Sequence, residues 1–134
     1  MLIIDVRDDD FEGIKIKGAV NVPSAEFADF DFVDEKLRSW RQYDTLIFHC
    51  MLSQVRGPRI ADLVSRRLQM LQEEEGGEET RTPEVKVLVH GWTVCFFLSF
   101  FLSVNIDMYV YFYMNVYVNI HRDGSVTLET MKNW

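Results

Sequence analysis

Ten consecutive residues near the middle of the chain are the most informative part of its sequence: His49-Cys50-Met51-Leu52-Ser53-Gln54-Val55-Arg56-Gly57-Pro58. The run Thr45–His49 precedes the loop, and a helical pattern of apolar residues follows it, so the segment predicts a strand, a loop and a helix. Backbone N–H groups in such a loop point inward at the helix N-terminus, where the helix dipole favours negative charge. We therefore expect this loop to bind an oxyanion.

Cys50 and Arg56, which five residues separate, are the candidate catalytic residues. Arg56 can donate two parallel hydrogen bonds to the anion, and the same positive field favours the thiolate of Cys50, the nucleophilic form. A cysteine that packs as a small apolar side chain is the structural alternative. The candidate substrate-binding residues are the rest of the loop: Met51, Leu52, Ser53, Gln54 and Val55, together with Arg56.

Two residues outside the loop are candidate supporting residues, His49 and Asp5. His49 either orients the loop and helps to ionise Cys50, or is a strand residue whose ring is satisfied by the backbone. We expect Asp5 to pair with Arg7 at the end of a strand. The two cysteines lie far apart and the three histidines are scattered, so we expect no metal site.

The composition limits the class of protein. With 134 residues, 48% apolar and 26% charged, the chain fits one globular domain. A net charge of −7 without a basic stripe argues against nucleic-acid binding. Two cysteines are too few for a disulfide scaffold, and acidic residues from Asp5 onward leave no room for a signal peptide, so we expect a cytoplasmic or nuclear protein.

Strand and helix patterns alternate along the first 91 residues. Strands are predicted at residues 2–6, 18–23, Thr45–His49 and 85–89, and helices at 27–40 and 59–73. The apolar positions of the first helix are Phe30, Val33, Leu37 and Trp40, and those of the second are Ile60, Val64, Leu68 and Leu71. This alternation predicts an α/β fold with a parallel sheet, helices on both faces and a site at the carboxyl ends of the strands.

The residues resemble the rhodanese-like superfamily, in the branch of M-phase inducer phosphatases and of fungal and plant arsenate reductases. The similarity covers residues 2–91. Besides the loop, it rests on Asp5-Val6-Arg7, on Glu12-Gly13-Ile14-Lys15-Ile16-Lys17-Gly18-Ala19 and on Asn21-Val22-Pro23-Ser24. The resemblance implies a three-layer fold around a central parallel sheet. The chain begins directly with a central strand, so we expect an edge strand and a helix to be missing at the N-terminus.

The resemblance also implies an activity. Sulfurtransferases of this fold have a loop one residue shorter, whereas five intervening residues leave room for phosphate or arsenate. We expect a phosphatase of the protein tyrosine or dual-specificity type, or an arsenate reductase, acting through a cysteine-bound intermediate. The loop contains no acid, unlike that of the cell-cycle phosphatases. The alternatives are a non-catalytic oxyanion-binding or interaction module and a rhodanese sulfurtransferase.

The expected partners follow from that activity. They are a phosphate or arsenate oxyanion and a phosphoprotein. No bound cofactor is expected, and glutathione or glutaredoxin would be the reductant of an arsenate reductase. We expect a monomer.

The last 43 residues do not continue the family pattern, so the catalytic domain is predicted at residues 1–91 and an atypical apolar tail at 92–134. Between residues 92 and 120 the only charged residue is Asp107. Three explanations stay open: an erroneous gene model, a membrane segment within 92–120, and a β-hairpin at 117–129 around Arg122-Asp123-Gly124-Ser125. The apolar run 94–104 is shorter than the roughly 20 residues of a spanning helix. Cys95, in this tail, is expected to be inert.

Overall fold

A six-stranded mixed sheet is the framework of the computed structural model, which describes residues 1–13, 15–16, 18–76, 81–88 and 90–93 and the backbone of 116–120 and 126–130. The described strands are β1 (Leu2–Asp5), β2 (Val20–Asn21), β3 (Thr45–His49), β4 (Glu84–Leu88), β5 (Val116–Ile120) and β6 (Val126–Thr130). Their order in the sheet is β2-β1-β3-β4-β5-β6. The first four are parallel, and β5 and β6 are antiparallel additions.

The three inner parallel strands β1, β3 and β4 are buried on both faces. β1 and β3 are neighbours, and Asp5 pairs in register with His49. Both strands therefore end at the same edge of the sheet, where the loops that follow them meet. The sequence placed the anion loop at this edge.

Two helices follow β2 and β3. α1 (Phe30–Trp40) begins after Asp29, whose side chain accepts hydrogen bonds from the backbone N–H groups of Asp31 and Phe32. Residues Ser24–Ala28 form a separate 3₁₀ helix, so the single helix predicted over 27–40 is divided at this N-cap. α2 (Arg56–Glu74) starts three residues earlier than predicted, within the anion loop itself.

The two faces of the sheet are covered differently. Both described helices pack on one face, here called the helical face, with a core that includes Phe27, Val33, Phe48 and Val64. The other face, here called the opposite face, carries a smaller cluster: Ile3, Ile16, Ala19, Ile47, Leu88 and Trp92. In the described residues the opposite face is covered by the segments around Ile16 and Trp92, and the second of these is helical at residues 91–93.

The C-terminal tail contributes backbone pairing to the sheet. β4 pairs with β5, and β5 pairs with β6 in a register that places Ile120 opposite Val126. The strands expected on either side of a hairpin lie within β5 and β6, and the predicted turn at 122–125 lies outside the described residues. The predicted membrane segment lies mostly outside them as well, as does Cys95. No described helix is both long enough and apolar enough to cross a bilayer.

Candidate active site

The anion loop runs from the end of β3 to the first turn of α2. Cys50 follows β3 directly and is buried, with 3% of its surface exposed. The first turn of α2 starts close against the strand end: a Cβ atom at Gly57 would lie 3.4 Å from Ser53 Oγ and 3.5 Å from the Cys50 backbone nitrogen, both ordinary van der Waals distances. Ser53 has a φ of +52°, which turns the loop back over the cysteine. Strand, tight loop and helix follow in the predicted order.

The Cys50 sulfur accepts hydrogen bonds from two backbone N–H groups. The donors are Ser53, at 3.2 Å, and Gly57, at 3.4 Å. Ser53 Oγ in turn accepts a hydrogen bond from the Cys50 backbone N–H at 3.3 Å. N–H groups that point at a sulfur are donors to it, so two backbone donors of the loop converge on Cys50.

The predicted substrate-binding residues form the wall and rim of this loop. Met51 and Ser53 are half-buried, and Leu52, Gln54 and Val55 are exposed. Leu52 and Val55 leave 48% and 71% of their surfaces open, so two apolar side chains border the loop on the solvent side. The loop thus combines backbone donors with an apolar rim.

A second segment fixes the outside of the loop. The backbone N–H of Trp92 donates to the Cys50 carbonyl oxygen at 3.0 Å, and that of Thr93 donates to the Met51 carbonyl oxygen at 2.9 Å. Gly91, with a φ of +56°, lies so close to the loop that a Cβ atom there would collide with the carbonyl oxygens of Cys50 and Met51. These contacts tie the carbonyl groups of the loop to the segment 91–93. They also cross the predicted domain boundary at residue 91.

Arg56 is held by two carboxylates that the sequence analysis did not identify, those of Asp8 and Asp10. Its Nη1 donates to Asp8 Oδ2 at 3.0 Å and to Asp10 Oδ1 at 2.6 Å, and its Nη2 donates to Asp10 Oδ2 at 2.5 Å. The hydrogen bonds with Asp10, more than those with Asp8, raise the pKa of Arg56 above its ordinary value. The guanidinium is therefore always charged.

The same contacts keep both carboxyl groups ionised. Hydrogen bonding to Arg56 lowers the pKa of Asp10 below its ordinary value. Burial alone would raise the pKa of Asp8, but hydrogen bonds from Ser24 and Arg56 outweigh it, and the pKa is lowered. A group that stays ionised at neutral pH is a poor proton donor.

Asp8 and Asp10 could have been found from the order of the strands in the sheet. They follow β1, and β1 and β3 end side by side.

His49 and Asp5 lie on the opposite face of the sheet and are fully buried. His49 Nδ1 lies 3.3 Å from the Cys50 carbonyl oxygen and must donate to it, because a carbonyl group only accepts. Burial lowers the pKa of His49, with Asp5 opposing the shift at a distance of 3.8 Å. The ring is neutral at neutral pH. The ring bonds to the backbone of Cys50, a contact that is compatible with both alternatives for His49.

Asp5 forms the expected pair with Arg7. Arg7 Nη2 donates to Asp5 Oδ2 at 2.6 Å, and Arg7 Nε donates to both carboxylate oxygens at 3.0 Å. The guanidinium of Arg7 also lies between two aromatic rings, 5.1 Å from the centre of Phe11 and 4.8 Å from that of Trp92. Asp5 thus belongs to a buried ion pair that joins β1 to the segment on the outside of the loop.

A metal centre is not apparent in the part of the chain that the structure describes. No group of three or more histidine, cysteine, aspartate and glutamate side chains there has the geometry to hold a metal ion. The described site contains a sulfur, backbone donors and one guanidinium.

Comparison with known proteins shows that the chain is similar to phosphatases and to an arsenate reductase. No protein-family model matches the chain. The chain is 46% identical over 66 residues to the dual specificity phosphatase ibp1 of Schizosaccharomyces pombe, covering 49% of this chain and 46% of that protein. It is 37% identical over 91 residues to arsenate reductase 2.1 of Oryza sativa subsp. japonica, covering 67% of this chain and 52% of that protein. The chain spans about half the length of these curated relatives.

The chain is also similar to a solved structure of a phosphatase. Ygr203w, a yeast protein tyrosine phosphatase of the Rhodanese family, superposes with a TM-score of 0.56 and 30% sequence identity. The superposition covers 72% of this chain and 68% of the yeast chain.

Proposed function

The chain belongs to the rhodanese family, in the branch of dual specificity phosphatases and arsenate reductases, and from that premise we propose that it is a thiolate enzyme for tetrahedral oxyanions. The observation that carries the proposal is the environment of the Cys50 sulfur, which is buried and accepts two backbone N–H hydrogen bonds at the start of α2. Arg56, at the other end of the loop, supplies a permanent positive charge.

The first chemical step is the same for phosphate and arsenate substrates. The Cys50 thiolate attacks the central atom, a sulfur–phosphorus or sulfur–arsenic bond forms, and the oxygen of the leaving group departs and takes up a proton. Arg56 and the backbone N–H groups of the loop hold the remaining oxygens, whose negative charge they stabilise in the transition state.

The second step separates the two activities. With a phosphate ester, water attacks phosphorus, the sulfur–phosphorus bond breaks, and inorganic phosphate leaves the regenerated thiolate. With arsenate, an external thiol such as glutathione attacks the Cys50 sulfur of the adduct; the sulfur–arsenic bond breaks, its electron pair reduces As(V) to As(III), and Cys50 forms a mixed disulfide with the external thiol. A second external thiol reduces this mixed disulfide and regenerates the Cys50 thiolate. Glutaredoxin, a protein with its own reactive thiols, is the alternative reductant of that mixed disulfide.

The rim of the loop supports an organic leaving group. Leu52 and Val55 expose apolar surface beside the anion site, which suits the ring of an aryl phosphate such as a protein phosphotyrosine. A nucleophilic thiol also requires a reducing compartment, so we propose the cytosol or the nucleus as its location.

The test uses the purified full chain with three substrates: a small aryl phosphate, arsenate with glutathione, and thiosulfate. We expect hydrolysis or arsenate reduction, and a loss of at least about a thousandfold in Cys50→Ser, because an activated thiolate is removed. Cys95→Ser is the matched control, with wild-type rates expected.

Two outcomes contradict the proposal. Sulfur transfer from thiosulfate as the dominant activity would assign the chain to the sulfurtransferases. A Cys50→Ser variant that keeps more than about a tenth of the rate would reject Cys50 as the nucleophile.

A further inference from the structure

The guanidinium of Arg56 is only partly occupied. An arginine side chain carries five N–H donors in one plane. Asp8 and Asp10 accept from both Nη1 hydrogens and from the Nη2 hydrogen that faces Nη1. The two remaining donors, Nε–H and the second Nη2–H, point in parallel along one edge of the plane. Among the described residues no group accepts a hydrogen bond from that edge.

The two carboxylates that hold Arg56 are themselves held. Ser24 Oγ donates to Asp8 Oδ2 at 2.7 Å, and the backbone N–H of Ala25 donates to Asp8 Oδ1 at 3.2 Å. The backbone N–H of Asp8 donates to Asp10 Oδ1 at 3.0 Å. Asp10 therefore meets Arg56 with both oxygens while one of them is fixed to the backbone. Both carboxylates thus have hydrogen bonds of their own that hold them against Arg56.

We propose that Asp8 and Asp10 are positioning residues, which fix the Arg56 guanidinium so that its Nε–Nη2 edge faces the oxyanion. The inference rests on the proposed function. Two parallel N–H donors match two oxygens of a tetrahedral anion, and a guanidinium fixed in advance loses little rotamer entropy on binding. Asp10 holds the end of the fork with two oxygens and Asp8 holds one donor, so Asp10 has the larger effect.

Removal of Asp8 or Asp10 can also strengthen anion binding, so the direction of the change in affinity decides between the two effects. Both carboxylates carry negative charge close to the anion site, and removing a negative charge favours an anion by simple electrostatics. Asp9 provides the control for this contribution. It lies between the two positioning residues in sequence and is exposed. Among the described residues, Asp9 forms no hydrogen bond or ion pair with Arg56.

The experiment measures how well inorganic arsenate or phosphate protects Cys50 of the full chain from iodoacetamide. Peptide mass spectrometry distinguishes Cys50 from Cys95. We expect Asp10→Asn to raise the half-protecting anion concentration about tenfold and Asp8→Asn about threefold. Asp9→Asn should leave it unchanged or lower it slightly. The alkylation rate without anion should stay within about twofold in all variants, because a folding defect would change that rate.

A second arm uses Arg56→Lys. An ammonium group has no edges to orient, so Asp10→Asn should have no further effect on protection in that background. The positioning role is supported if Asp10→Asn weakens anion protection in the protein that has Arg56 and leaves it unchanged in the Arg56→Lys protein.

The outcomes separate the inference from the proposed function. If the anion protects Cys50 of Asp10→Asn as well as or better than Cys50 of Asp9→Asn, the positioning role is overturned. Protection of Cys50 in the wild-type protein would still support the proposed function in that case. An unprotected wild-type protein overturns the proposed function, and the inference fails with it.

Discussion

The two faces of the sheet support the same loop through different kinds of interaction, apolar packing on one face and buried polar contacts on the other. Of the residues that the structure describes, eighteen buried ones form the cluster of the helical face, with Phe27 and Trp40 each edge-on to Phe48 at 6.3 Å between ring centres. The described cluster of the opposite face has six, and the alternation of the strands puts there the buried polar and charged side chains Asp5, Arg7, His49 and Lys86. Apolar packing supplies most of the stability, because it scales with buried area. Buried hydrogen bonds have direction, so the opposite face is suited to orienting the loop.

The largest effect expected from this contrast concerns ion pairs. Arg7→Met on the opposite face leaves the Asp5 carboxylate buried without its main partner, and we expect a loss of about 3–5 kcal/mol in the free energy of unfolding. The matched control is Arg67→Met. Arg67 bonds to Asp34 between the two helices at 2.7 Å, but both side chains are partly exposed, so the expected loss is about 1 kcal/mol or less.

Urea denaturation measures both variants. Equal losses would show that the two faces do not differ in how they use charge.

The second prediction concerns the close approach of Gly91 to the loop. In Gly91→Ala the added methyl group lies against backbone atoms, at 2.8 Å from the Met51 carbonyl oxygen and 2.9 Å from the Ser53 nitrogen. The loop must move, and we expect the rate of Cys50 alkylation to change about tenfold or more, since small displacements at a reacting group have large effects.

Gly76→Ala is the matched control for Gly91→Ala. Gly76 has a similar positive φ of +83° after α2, with open space around it, so it shares the backbone cost of about 1 kcal/mol without the collision. Unchanged Cys50 reactivity in Gly91→Ala would mean that the segment 90–93 does not fix the loop.

The smallest effect concerns the pH dependence of stability through His49. Burial lowers the pKa of His49 in the folded protein below its ordinary value of 6.5. The unfolded chain therefore binds a proton first as the pH falls. The contribution of His49 to stability is complete above pH 6.5 and is lost as the pH falls from there, with a slope of at most about 1.4 kcal/mol per pH unit.

His49→Gln should remove this component. The measurement is the free energy of unfolding of both proteins between about pH 7 and pH 5, above the range in which ordinary carboxylates titrate. Parallel curves for the two proteins would contradict the prediction.

Local sequence patterns predicted the parts of the molecule that local interactions determine. The apolar run Thr45–His49 and the helical spacing of Ile60, Val64, Leu68 and Leu71 correspond to β3 and to the buried side of α2. One expected core position differs. Phe30 is 62% exposed because the helix begins there, after the Asp29 cap, and Phe32 packs against the core in its place.

The supports of the site could not be found in this way. Asp8 and Asp10 lie 48 and 46 residues from Arg56 in the chain, and Thr93 lies 42 residues from Met51. Such contacts depend on which strands become neighbours, and hydrophobic spacing along one segment carries no information about that. Cys50 and Arg56 were identifiable because both belong to one loop.

The short strand β2 affects how the sheet meets other molecules. β2 pairs with β1 over only two residues, Val20 and Asn21, and Pro23, which has no backbone N–H, follows closely. Asn21 Nδ2 donates to the carbonyl oxygens of Asp5 and Arg7, both at 3.0 Å. A foreign strand approaching this border of the sheet therefore finds very little free backbone to pair with. Edge-to-edge association, the usual first step of β aggregation, is disfavoured on the side of the sheet next to β1.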